Sequence, residues 1–250
     1  MQTDLKVWSD HFAYHAERRA TLPELRAGTL APTERDLVAD SIATFQLGAH
    51  FDGRTLLQTA GRYAADNNAP LLKEIVRMLI AEEQHHAVLL GAFMHEQRIP
   101  PKRSHWSHRA FRVTRLSGGF EFQVRMLAIT EVIGIVCYRA LEHATSCPQL
   151  RSMCRTFIAD ELAHLGLLSD LLRSMQEHRP APLQSLARLA HRMMLAGAAL
   201  VAWRTHRRVL HAGGQSLLTF MRACRDQFAF HLEPTQRRTP DRSTVTSLPS

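Results

Sequence analysis

The sequence predicts an all-α protein, a four-helix bundle with one long crossover and additional C-terminal helices. Three observations predict it. The chain is rich in Leu, Ala, Met and Arg and holds only 12 Gly in 250 residues, a balance that favours helix over sheet. Apolar residues recur at helical spacing through long stretches separated by short Pro- or Gly-containing breaks. The second half of the chain also repeats the first around a Glu-x-x-His motif.

The elements follow in order. Residues 1–33 read as an N-terminal arm with one short helix around His11 to Arg19. A long periodic stretch then runs from Glu34 to Tyr63. Its Gly48 and Gly53 each cost about 1 kcal/mol in a helix interior, which points to close packing against a neighbour on that face. The turn through Asn67, Asn68 and Pro70 opens a second long helix, Leu71 to Glu96, which Pro100 and Pro101 end. Residues 100–119 form the crossover, with Lys102, Arg103, Arg109, Arg112 and Arg115 and no acid. Phe120 to Ala144 and Gln149 to Gln176 are the third and fourth helices, joined at Cys147-Pro148. Two accessory helices, Leu183 to Leu210 and Ser216 to Leu232, meet at Gly213-Gly214. One domain is expected over residues 34–232, with its bundle core at 40–176, accessory helices at 183–232 and a disordered polar tail at 233–250.

Composition narrows the function classes. Lys plus Arg exceed Asp plus Glu by 31 − 23 = 8. That excess permits anionic partners without requiring them, and no interleaving of aromatic and basic residues marks a nucleic-acid site. Met1 to Val7 is charged with no apolar core behind it, unlike a secretory signal. The longest apolar run, Met193 to Trp203, is too short for the roughly 20 residues of a membrane span. The four Cys form no C-x-x-C pair. A cytoplasmic protein is expected.

The repeat carries the chemistry. An offset of 148 − 70 = 78 brings Pro70 onto Pro148, Ile80 onto Ile158, Glu83 onto Glu161, His86 onto His164 and Leu90 onto Leu168. Each Glu-x-x-His puts a carboxylate and an imidazole on one helix face, one turn apart. With apolar residues flanking both copies, the carboxylates point inward, and buried carboxylates need a compensating cation. One such motif alone would be a chance surface feature in a helical chain with 15 His; two in matched positions point to metal.

A bundle site also takes a carboxylate from each of two partner helices. Glu131 is the only charge in the run Met126 to Val136 and lies 161 − 131 = 30 residues before Glu161. At 1.5 Å per residue, helix, turn and returning helix bring the two to one level. The same count in the first half reaches Asp52, with Leu56 matching Ile135 and Leu57 matching Val136; Ala49, one turn earlier, cannot ligate. Glu82 and Asp160, which precede the two motif glutamates, are either a solvated face or carboxylates that accept the outer ring N–H of the opposing histidines. Tyr63 and Tyr138 occupy nearly equivalent positions and read as core residues near the site.

At Asp52, Glu83-x-x-His86, Glu131 and Glu161-x-x-His164 the chain resembles the ferritin-like di-iron carboxylate superfamily over about residues 40–176, and stretches such as LIAEEQHHAVLLGAF and FIADELAHLGLL resemble uncharacterised bacterial ferritin-like domain proteins. The resemblance implies two Fe ions, or an Fe/Mn pair, with Asp52, Glu83 and His86 at one and Glu131, Glu161 and His164 at the other. It departs at Asp52, where the superfamily supplies Glu. The superfamily spans ferroxidases, peroxidases, hydroxylases and desaturases; the near-complete ligand set, in a chain larger than a storage bundle, points to an oxidoreductase using O2 on a small organic substrate, with an external electron donor. The alternatives are a ferroxidase or iron-handling protein, and a non-enzymatic scaffold with a degenerate metal site. The helices after Pro182 would cover the site or form a homodimer surface.

Overall fold

The computed structural model describes residues 2–18, 30–49, 52–102, 118–177 and 179–233. Among them are eight α-helices and no strand: α1 (Gln2–Arg18), α2 (Pro32–Ala49), α3 (Arg54–Asp66), α4 (Leu72–Glu96), α5 (Phe120–Ala144), α6 (Pro148–Gln176), α7 (Ala181–Ala212) and α8 (Leu217–Leu232). The central bundle sets α4 against α2 and α3, and α5 along α6. The accessory α7 and α8 pack on α5 and on each other. No helix among the described residues is long and apolar enough to cross a membrane.

Local sequence sets the helix ends. Pro148 opens α6 at its first helical position, where the missing N–H has no helical partner to lose. Arg98 takes a positive φ of 54° just past α4, and Ile99 N–H bonds back to Met94 O, so the last carbonyls are satisfied. Ser216 and Thr219 cap the start of α8 reciprocally. Glu34, in the first turn of α2, accepts from Thr145 Oγ1, Ser146 N–H at 2.8 Å and Ser146 Oγ at 2.9 Å. It therefore ties the α5–α6 turn to α2. Burial works to raise the Glu34 carboxyl, but these donors outweigh it and hold the group below its usual range.

Two expectations change. The N-terminal helix begins at Gln2 rather than His11, and its Leu5 and Phe12 are buried in the main core. The stretch from Glu34 to Tyr63 is two helices rather than one. Gly53 has φ 62°, a left-handed conformation that other residues adopt only at a cost. A Cβ there would lie 2.6 Å from Ile80 Cδ1, so the missing side chain also lets α4 approach closely. Lys102 at the start of the crossover pairs with Asp40 at 2.5 Å and with Thr44 Oγ1 at 2.9 Å. Arg103, Arg109, Arg112 and Arg115, His50 and the tail from residue 234 lie outside the described residues.

Candidate metal centre

The two motif helices face each other at the middle of the bundle, and α5 brings Glu131 between them. Their apolar periodicity aims the motif side chains inward. His164 is 0% and His86 1% exposed, and Glu83, Glu131 and Glu161 are also buried. Glu83, Glu131, Glu161 and His164 each offer a ligand atom within 4.8 Å of the others. Around His164 Nδ1 lie Glu83 Oε1 at 3.1 Å, Glu161 Oε2 at 3.4 Å and Glu131 Oε2 at 3.8 Å. His86 Nδ1 stands 3.9 Å from both Glu83 Oε1 and Glu161 Oε1. The two rings are 6.3 Å apart.

The outer ring nitrogens settle the orientation. His86 Nε2 donates to Asp160 Oδ2 at 2.8 Å, and His164 Nε2 donates to Glu82 Oε2 at 3.0 Å. Each histidine is held by the carboxylate that precedes the other helix's motif glutamate. An imidazole whose Nε2 carries the proton presents a lone pair at Nδ1. Both Nδ1 atoms are buried without a hydrogen bond, as is Glu161 Oε2, although carboxylate oxygens lie close by. Lone pairs pointing at lone pairs in a dry core are repulsive, and a cation between them makes the arrangement favourable.

Electrostatics say the same. Burial and the neighbouring Glu83 push the Glu161 carboxyl up. Burial disfavours a charged His164, but the surrounding carboxylates of Glu161, Glu82 and Glu83 outweigh it and drive the ring well above its usual range. His86 is raised in the same way, against its burial, by Asp160, Glu83 and Glu161. Without metal, protons must supply the positive charge this pocket requires.

The structure does not bring Asp52 to this cluster. With its side chain 63% exposed, it pairs with Arg54 Nε at 2.8 Å, because it lies after the end of α2 at Ala49 and before the start of α3 at Arg54, not on a helix that would carry it inward. Ala49 is buried and has no donor to offer. Five protein donors therefore converge, not six. The two tyrosines also part ways. Tyr138 is buried against Phe157, which itself packs on His86 at 4.4 Å; burial and Glu83 drive its phenol well up, so it stays protonated. Tyr63 sits beside Phe120, roughly 16 Å along α5 from Glu131 by helix rise.

Sequence reasoning missed the role of α1. Phe12 lies 5.9 Å from the His164 ring at an interplanar angle of 26°, and Trp8 Nε1 donates to Asp170 Oδ2 at 3.0 Å. The signal was present as Leu5, Trp8 and Phe12 at helical spacing.

No family model, no curated protein and no solved structure is significantly similar to this chain. Fold and cluster define its class: an all-helical bundle with a buried glutamate/histidine cluster that resembles a di-metal carboxylate site. Such a cluster can coordinate a di-metal centre.

Proposed function

We propose that the chain is a di-iron oxidoreductase that uses O2 to oxidise a small organic substrate, drawing electrons from an external donor. The observation that carries this reading is the convergence of two Nδ1 atoms and three glutamates in a dry core, with both outer ring nitrogens already anchored. Glu83, His86, Glu131, Glu161 and His164 would hold the ions. Asp52 is left out of the set, and Glu83 and Glu161, each near both histidines, would be within reach of either ion. Imidazole and carboxylate together suit iron, or iron with manganese. When bound, such a pair supplies redox chemistry that no side chain here can perform.

The chain's own residues then have defined tasks. Asp160 and Glu82 hold the imidazole tautomers and raise their basicity. Phe12 and Phe157 exclude water from the two rings, and protonated Tyr138 can give up its proton only against strong desolvation. A cytoplasmic homodimer completes the reading.

One observation favours a second reading, iron handling without an organic substrate. Glu83, His86, Glu131, Glu161 and His164 are all 9% exposed or less. Ligands this deeply buried suit small reactants such as O2 and the metal itself.

Anaerobic Fe(II) titration followed by O2 tests both. The expected result is at least two Fe(II) per chain and an oxygen-dependent absorption change. No iron binding would overturn both readings. Stoichiometric oxidation of Fe(II), with repeated cycles needing no organic substrate, would favour iron handling.

A further inference from the structure

The second face of the cluster carries its own donors. His15, Glu82 and Asp160 each offer a ligand atom within 4.8 Å of the others. His11 stands one turn before His15 on the same face of α1, with ring centroids 4.3 Å apart. It is close enough to Glu82 and Asp160 to feel both charges. The donors come from three helices: α1 supplies the imidazoles, α4 supplies Glu82 and α6 supplies Asp160.

We propose that His15, Glu82 and Asp160, with His11 beside them, form a separate station for one divalent transition-metal cation, from which the buried centre is loaded. The transit role rests on the di-metal reading, but the station itself does not.

Three physical arguments support it. One imidazole and two carboxylates are a donor set for borderline divalent ions, and the His11 ring lies 4.3 Å from that of His15, next to the same place. The site is graded in depth: Glu82 is 2% exposed, the Asp160 side chain 14%, and His15 is half-buried. A cation arriving from solvent would therefore meet His15 first and the carboxylates next. Glu82 and Asp160 also already bond His164 and His86. A carboxylate has two oxygens and can accept a ring N–H while donating to a cation. The two carboxylates would thus connect the outer station with the rings that hold the inner ions.

Anaerobic equilibrium dialysis against Co(II), with metal counted per chain, tests the station in the full-length protein. The variant is His11→Gln with His15→Gln, two changes on the outer helix that leave every residue of the buried cluster in place. Circular dichroism checks that the variant remains folded. The expected result is three Co(II) per chain in the wild type and two in the variant, with slower filling of the buried pair by Fe(II). Equal counts in the two proteins would overturn the station. The two readings fail separately. One Co(II) in the wild type, lost in the variant, would keep the station and overturn the di-metal reading. Two Co(II) in both proteins would keep the di-metal reading and overturn the station. Wild-type His15 paired with His11→Gln alone separates their shares: retention of the third ion assigns the bond to His15, and its loss makes His11 a ligand as well.

Discussion

Phe12 stacks on His164 across the interface between α1 and α6, 5.9 Å from centroid to centroid. The N-terminal helix therefore belongs to the wall of the site. Trp8 seats the same helix: its Cη2 lies 2.6 Å from where a Cβ on Gly166 would be, and its indole N–H holds Asp170. Gly166→Ala is expected to push α1 outward and cost about 1–3 kcal/mol. Hydrogen exchange should show α1 amides losing protection while those of α4 and α6 keep theirs. Uniform loss across all helices would contradict this placement of α1.

The outer carboxylates should matter to metal affinity without being ligands of the buried pair. Asp160→Asn and Glu82→Gln are each expected to weaken metal binding at the buried centre by roughly 10- to 100-fold. The effect should cross between helices, since Asp160 on α6 orients His86 on α4 and Glu82 on α4 orients His164 on α6. Competition against a chelator of known affinity measures both. Unchanged affinity in both variants would remove the orienting role.

Bound metal should also stabilise the fold. At a free concentration one hundred times its dissociation constant, an ion that binds only the folded state adds about 2.7 kcal/mol. Wild-type protein should show this shift in thermal or denaturant unfolding with Co(II), and Glu131→Gln should show much less of it. Glu131 is 3% exposed and its oxygen is among the three around His164 Nδ1.

His191 makes stability fall in mild acid. Its ring is buried between α7, α5 and Phe228, with Nε2 donating to Arg125 O at 2.9 Å and Arg125 Nη1 donating to Nδ1 at 3.3 Å. Burial, helped by the Arg125 charge and opposed by the Arg125 carbonyl, Glu121 and Glu233, lowers the ring to about 4. The unfolded ring takes up its proton near pH 6.5 while the folded one does not. Its contribution is therefore complete above pH 6.5 and is lost progressively down to about pH 4, at most about 3 kcal/mol. Denaturation at pH 7.5 and pH 5 should show a smaller acid loss in His191→Gln than in the wild type.

Gly53→Ala should cost about 1–3 kcal/mol, from the left-handed backbone and the contact with Ile80 together. Chemical denaturation checks it. The same glycine explains where the sequence could and could not be read. The bundle helices were legible because their apolar periodicity is long and their turns carry Pro, Asn or Gly. The convergence of Glu83, His86, Glu131, Glu161 and His164 was legible because carboxylates in apolar helix faces have few other uses. Counting along one continuous helix places Asp52 at the site, and that count fails because α2 ends at Ala49 and α3 begins only at Arg54, just after Gly53 at φ 62°. Periodicity carries no information about such a bend. The closure by α1 was hidden for another reason: the surface it covers is assembled from α4 and α6, which are distant in the chain.

The crossed bonds His86–Asp160 and His164–Glu82 have a consequence for alignment. The partner numbers sum to the same value, 86 + 160 = 164 + 82 = 246, as in two antiparallel rods pinned at two points. Sliding one rod by a turn, about 5.4 Å, would pull out both pins at once and strand four polar groups in the core. Leucines alone would let such a slip pass at small cost, since one apolar ridge resembles the next. The pair of pins thus works as a key between α4 and α6, selecting a single axial setting before any ion arrives.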